Sequence, residues 1–151
     1  GTHPTTRMCL RWIAAQPPRA QRVLDYGCGS GILAIAAALF GAAQVDAVDI
    51  DAVAVDAAQA NAQANRVTIA TGLPDAAHGV YDTVLANILA TPLKVLAPLL
   101  CAHVGPAGAL VLAGILERQA EELREAYAPW LALDVHDREE GWVLMTARRA
   151  A

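Results

Sequence analysis

The stretch Val23-Leu24-Asp25-Tyr26-Gly27-Cys28-Gly29-Ser30-Gly31 leaves few folds open to a chain of 151 residues. Arg22 to Asp25 reads as a short strand, and the glycines at 27, 29 and 31 let the backbone turn sharply and come close to a ligand. Ile32 to Phe40 is apolar and alanine-rich, long enough for a buried helix, with Gly41 where a helix C-cap belongs. A strand, a glycine turn and a buried helix in that order open an α/β sheet. Such sheets bind ligands at the carboxyl ends of their strands, near the reversal of strand order.

The rest of the chain continues the alternation. A helix is expected from Thr5 to the pair Pro17-Pro18, with Met8, Cys9, Trp12 and Ile13 on its apolar face. Val45 to Val48 reads as a second strand, and Ala52 to Asn65 as a helix capped by Asp51. Further strands are expected at Val67 to Ala70, Tyr81 to Ala86 and Ala109 to Ala113. Helices are expected at Leu93 to Val104 and Glu117 to Tyr127, with Gly105-Pro106-Ala107-Gly108 as a turn. Leu131 to His136 and Gly141 to Ala147 read as two consecutive strands around the polar run Asp137 to Glu140, and so short a connection requires an antiparallel pair. One α/β domain follows, with a mostly parallel sheet closed by a terminal antiparallel hairpin.

The loop spacing bears on the ligand. A dinucleotide fingerprint, GxGxxG, would place its third glycine at position 32, which is Ile32. Here the spacing is GxGxG, preceded by Asp25. An acid beside the loop suits the sulfonium and ammonium of S-adenosylmethionine better than it suits a pyrophosphate. Asp49, ending the second strand, is placed to accept hydrogen bonds from both hydroxyls of a ribose. That feature is shared with NAD-binding folds, so it speaks for a nucleoside rather than for methyl transfer.

Composition narrows the setting. The chain is 56% hydrophobic and 17% charged, which fits a packed core and argues against disorder. Its formal charge is −4, so it offers nucleic acid no general attraction. Cys9, Cys28 and Cys101 are scattered, as are His3, His78, His103 and His136; no metal site is expected, and reduced thiols suit the cytoplasm. No apolar stretch reaches membrane-spanning length.

Four segments together resemble one family: Gly1-Thr2-His3-Pro4-Thr5-Thr6, Asp25 through Ala34, Asp49-Ile50-Asp51, and Ala86-Asn87-Ile88-Leu89-Ala90. Ala113-Gly114-Ile115-Leu116 and Glu140-Gly141-Trp142-Val143 match as well. The chain resembles the ribosomal protein L-eleven methyltransferases over essentially its whole length. The resemblance implies a Rossmann-like methyltransferase fold with a seven-stranded sheet, S-adenosylmethionine as methyl donor, and amines of a large-subunit ribosomal protein (lysine and N-terminal) as acceptors. It carries donor-binding roles onto Thr6, Gly27 and Asp49, which join Asp25 and Gly29 of the loop reading above, and places Asn87 close to the transferred methyl as a donor-binding residue and the candidate catalytic one. His3 and Thr5, in the same matching stretch, are expected to line the pocket. The family carries a substrate-recognition domain ahead of the catalytic one; residues 1–151 are therefore expected to be the catalytic domain without it.

A methyl on a sulfonium is transferred by in-line displacement, so the acceptor amine has to be neutral and aligned. Neutralising a lysine at pH 7 costs roughly 4–5 kcal/mol, an α-amine about 1. Asn87 is followed by Ile-Leu-Ala rather than Pro-Pro-Tyr, which favours a true amine over an amide or exocyclic nitrogen. The alternatives are a methyltransferase acting on another protein lysine or a small amine, a nicotinamide-dependent oxidoreductase, and a non-catalytic binding module.

Overall fold

A computed structural model describes residues 3–151. Gly1 and Thr2 of the first matching segment lie outside the described residues. The elements are α1 (Pro4–Ala15), β1 (Arg22–Tyr26), α2 (Ile32–Leu39), β2 (Gln44–Val48), α3 (Ala52–Ala64), β3 (Ala70–Gly72), β4 (Tyr81–Asn87), α4 (Ala90–Val95), α5 (Ala97–Ala102), β5 (Val104–Leu116), α6 (Ala120–Tyr127), β6 (Asp134–Glu139) and β7 (Trp142–Arg148).

The strands form one sheet in the order β3-β2-β1-β4-β5-β7-β6. β1 to β5 are parallel, whereas β7 runs antiparallel to both β5 and β6. Because a parallel sheet is covered on both faces, its central strands are continuously apolar. Leu110 and Leu112 of β5 face one core with Leu93, Leu100, Leu123 and Tyr127 of α4 to α6. Val111 and Ala113 face the other, with Met8, Ile13, Leu33 and Ala58 of α1 to α3. Strand order reverses between β1 and β4, so the connections leaving their carboxyl ends run to opposite faces of the sheet and leave a crevice there. Among the described residues no helix is long and apolar enough to cross a membrane.

The α/β architecture is the one expected, but several boundaries differ: β5 is longer than Ala109 to Ala113, α6 starts at Ala120 rather than Glu117, and β6 covers Asp134–Glu139 rather than Leu131 to His136. The third strand is Ala70–Gly72 rather than Val67 to Ala70, since Val67 still donates to the Ala62 carbonyl (3.1 Å) and finishes the end of α3. The expected single helix Leu93 to Val104 is two, α4 and α5, broken at Leu96. Pro98 has no N–H and its ring crowds the carbonyl four residues back, which ends the first helix. Gly105 to Gly108 do turn, but inside β5: pairing with β4 jumps from Tyr81↔Val104 to Thr83↔Ala109. Finally, the hairpin turns at Glu140 (φ 50) and Gly141 (φ 82), not over Asp137 to Glu140. Two successive positive φ values fit a tight two-residue turn.

The break before α5 leaves the Leu93 carbonyl in need of a partner. Tyr127 supplies it, donating its buried hydroxyl to that oxygen at 2.6 Å. Tyr127→Phe keeps the ring and strands the carbonyl; we expect a loss of about 1–2 kcal/mol in urea unfolding, with unchanged secondary structure by circular dichroism.

Candidate active site

The site begins where β1 ends. Tyr26 leads into Gly27, whose φ of 77 is open to glycine at little cost, and a Cβ there would lie 2.6 Å from Ile88 Cγ2. Gly114, in β5, has φ 89, and its Cβ would overlap the Ile88 carbonyl. Two glycines from different strands thus close upon one residue after β4. The loop is tied to β2 by Gly27 and Cys28, which both donate to the Val48 carbonyl (2.8 and 2.9 Å). From α3, Asn61 holds the Ser30 carbonyl at 2.9 Å.

Two carboxylates flank this loop in different environments. Asp25 is 1% exposed and accepts from the Ala34 N–H (3.1 Å), so it caps α2 from the neighbouring strand while Gly31 occupies the N-cap position. Burial pushes its pKa from 3.8 to about 7, offset in part by the Ala34 hydrogen bond and reinforced by nearby Asp49. Asp49 is half-buried and anchored through both oxygens: Oδ2 accepts from Gly29 N and Oδ1 from Asp51 N, each at 2.9 Å. Asp51 caps α3 by accepting from Val53 N (2.9 Å).

Three adjoining cavities run along the sheet edge. The one around Tyr26, Asp49, Ile50, Pro92 and Leu96 has about 300 Å³ and apolar walls, with Gly27 and Ile88 at its inner end. The next, about 190 Å³, holds Asp25, Gly27, Gly29, Thr6 and Asn87. The third is an open cleft of about 320 Å³ bounded by His3, Thr5, Leu89, Gly114 and Trp142, and it shares Thr6 and Asn87 with the second. Asn87 therefore stands at the boundary between the glycine-loop cavity and the cleft. Its Nδ2 points to Thr6 Oγ1 at 3.5 Å, a long contact that nonetheless orients the amide.

α1 lays its first turn over this junction. His3 is the N-cap: Nδ1 accepts from Thr5 N (3.2 Å) and lies 2.8 Å from Thr5 Oγ1, while the exposed ring meets Trp142 edge-on with centroids 5.1 Å apart. The cap is thus His3 and not Thr5, whose own side chain is buried beneath it.

All eight residues singled out from the sequence gather at this edge. Thr6, Asp25, Gly27, Gly29 and Asn87 share one cavity, Asp49 lines the apolar one, and His3 and Thr5 border the cleft. Sequence reasoning gave no role to Tyr26, Ile50, Ile88, Leu96, Gly114 or Trp142. Tyr26, Ile50, Ile88, Gly114 and Trp142 stand inside the segments that carried the family resemblance, so the signal was present but its geometry was not. Leu96 gave none, because its place depends on the helix break.

This strand order, with its site at the β1/β4 reversal, defines a Rossmann-like methyltransferase fold. The model for "Ribosomal protein L11 methyltransferase (PrmA)" matches residues 1–150, so the chain belongs to that family. A ribosomal protein L11 methyltransferase of Polaromonas sp. is 70% identical over 98% of this chain and 51% of its own length. The chain spans about half the length of the curated relatives it matches. The crystal structure of a ribosomal protein L11 methylase from Lactobacillus delbrueckii subsp. bulgaricus superposes with a TM-score of 0.92 at 34% identity, covering 100% of this chain and 81% of that one. The T. thermophilus 16S rRNA N2 G1207 methyltransferase, solved with AdoMet and guanosine, shares the fold at a TM-score of 0.81 and 20% identity over 99% of this chain and 44% of that one.

Asp25 gives the site a pH signature. Its pKa is higher folded (about 7) than unfolded, so the folded state holds the extra proton between about pH 4 and 7 and stability falls as pH rises through that window. Asp25→Asn should remove roughly 3–4 kcal/mol of this decline at most, read as the difference in slope between wild-type and variant unfolding free energies from pH 4 to 8. Parallel curves would show that Asp25 does not titrate there.

Proposed function

We propose that this domain binds S-adenosylmethionine and catalyses methyl transfer to amines, lysine and N-terminal, of ribosomal protein L11 of the large subunit. One observation carries the reading: the Asn87 amide sits between a glycine-lined cavity with a buried acid and an open cleft able to admit an acceptor. Family membership and the AdoMet-bound relative of the same fold support it. Three free, buried cysteines fit a reducing, cytoplasmic setting.

The residues suit such a donor. Gly27 and Gly29 leave room for a ligand against the backbone, and Asp25 presents a buried carboxyl, partly protonated in the free protein, that an ammonium or sulfonium brought against it would ionise. Asp49, already oriented by two backbone N–H groups, keeps further lone pairs for the two ribose hydroxyls. Tyr26, Ile50 and Leu96 supply apolar walls for a base. The donor brings an electrophilic methyl carbon on a positively charged sulfur.

The chain's own part is alignment and desolvation. Asn87 directs its amide nitrogen to Thr6, which leaves Oδ1 to accept from an incoming amine and turn its lone pair toward the donor cavity. Ile88, Leu89 and Trp142 give that amine apolar surroundings, which lower an ammonium pKa. His3 is the titratable side chain bordering the cleft, and its Nδ1 is engaged in capping α1. No carboxylate borders the cleft among the described residues. The amine's proton is accordingly lost to water before or during entry, and the rate rises with pH toward the acceptor's own pKa.

Asp49→Ala should weaken S-adenosylmethionine binding by at least about tenfold, the cost of one charge-assisted pair of hydrogen bonds, by isothermal calorimetry; unchanged affinity would remove the ribose role. Asn87→Ala should lower kcat with radiolabelled donor and purified L11 by about 100-fold while changing donor affinity far less. The reverse pattern would take Asn87 away from the transfer site. Methylation of a panel of small amines in preference to L11 would redirect the substrate assignment.

A further inference from the structure

α1 and its N-cap bring His3, Thr5 and Thr6 to the site, and the helix buries Met8, Cys9, Trp12 and Ile13 against the sheet. It is held there from the far edge. Arg7 donates through Nε to Glu139 Oε2 (2.6 Å) and pairs with Glu140 (3.1 Å). Arg11, one turn on, reaches Glu139 Oε1 at 2.6 Å and Asp137 Oδ2 through both Nε and Nη2 (3.2 and 3.0 Å). Glu139 thus spends each oxygen on a different arginine, and Arg11 and then Arg7 hold its carboxyl below the usual range.

The placement of the two acids depends on one irregularity. Val135 pairs with Met145, but Asp137 pairs with Leu144 and Glu139 with Trp142, so β6 carries one extra residue at His136. Met145 belongs to the core beneath α4 to α6, whereas Leu144 belongs to the core beneath α1. Without the bulge, alternation would turn residue 137 toward Val143 and the wrong face. With it, both acids face α1, and the hairpin turns back at Glu140 and Gly141 to Trp142, which touches His3.

We propose that Glu139, assisted by Asp137, is a positioning residue: the bulged hairpin latches α1 through Arg7 and Arg11 and thereby holds Thr6 against the donor cavity and the His3–Trp142 contact at the border of the cleft. The proposal rests on the donor assignment above for its functional consequence, but not for its structural one. Exposed single pairs contribute little, whereas a network of two guanidinium groups on three carboxylates fixes an orientation. It is also open to salt, since the arginine side chains are 38% and 48% exposed.

The test uses Asp137→Asn/Glu139→Gln, which removes the charges and keeps the shapes. First, amide hydrogen exchange in the ligand-free protein should speed by about tenfold at residues 5–8 while the β4 and β5 amides stay protected. Uniform acceleration, or none, would overturn the latch, and this result does not depend on any ligand. Second, S-adenosylmethionine affinity at low salt should fall about five- to tenfold in the variant. Raising sodium chloride to about 1 M should weaken wild type toward the variant's value and leave the variant unmoved. Equal affinities at low salt would overturn the positioning role. If wild type binds no S-adenosylmethionine at all, the donor assignment fails while the exchange measurement still decides the latch.

Discussion

The crevice owes its shape to the close approach of Gly27 and Gly114 to Ile88. Contact between main chain and a single residue brings the ends of β1, β4 and β5 nearer than side chains would permit. Glycine is needed at both places for two reasons at once, a positive φ and the absence of room for a Cβ. With those ends fixed, Asn87 immediately before Ile88 and Tyr26 immediately before Gly27 have little choice of position. The three cavities are divisions of one groove drawn around this crossing.

Charge then differentiates the groove. Asp25 and Asp49 come from neighbouring strands and lie on either side of the same loop, yet burial keeps the first partly protonated near neutrality while two backbone donors secure the second as an anchor. A cation brought against Asp25 would draw off its proton, so ligand affinity on that side is linked to pH. The cleft beyond Asn87 is different again, bordered by apolar side chains, two threonines and one histidine, with no carboxylate among the described residues. Nucleoside, charged tail and acceptor would each meet an environment of matching polarity.

Much of this was legible in the sequence, for a local reason. The glycine loop, Asp49 and Asn87 each end a strand, and strand ends are marked by short-range patterns. Asp25 was read as a charge beside the ligand; that it also caps α2 through Ala34 needed the fold, because the bond joins two elements across the loop. The acidic run at 137–140 looked like a turn because polar residues usually are. Asp137 to Glu139 instead form strand and only Glu140 turns, with the acids held by arginines more than 120 residues away in sequence, a separation at which no pattern rule operates. The Pro98 break was readable in principle, but the alanine and leucine content on either side favoured one continuous helix.

The latch strand has a bearing on self-association. β6 is one border of the sheet, where unpaired main-chain groups invite a foreign strand to add on. A bulge at His136 and the charged side chains of Asp134, Asp137, Arg138 and Glu139 make that border uneven and hard to extend. At the opposite border β3 offers only three residues. The same insertion that aims two carboxylates at a helix therefore also guards the molecule against stacking edge to edge into fibrous aggregates.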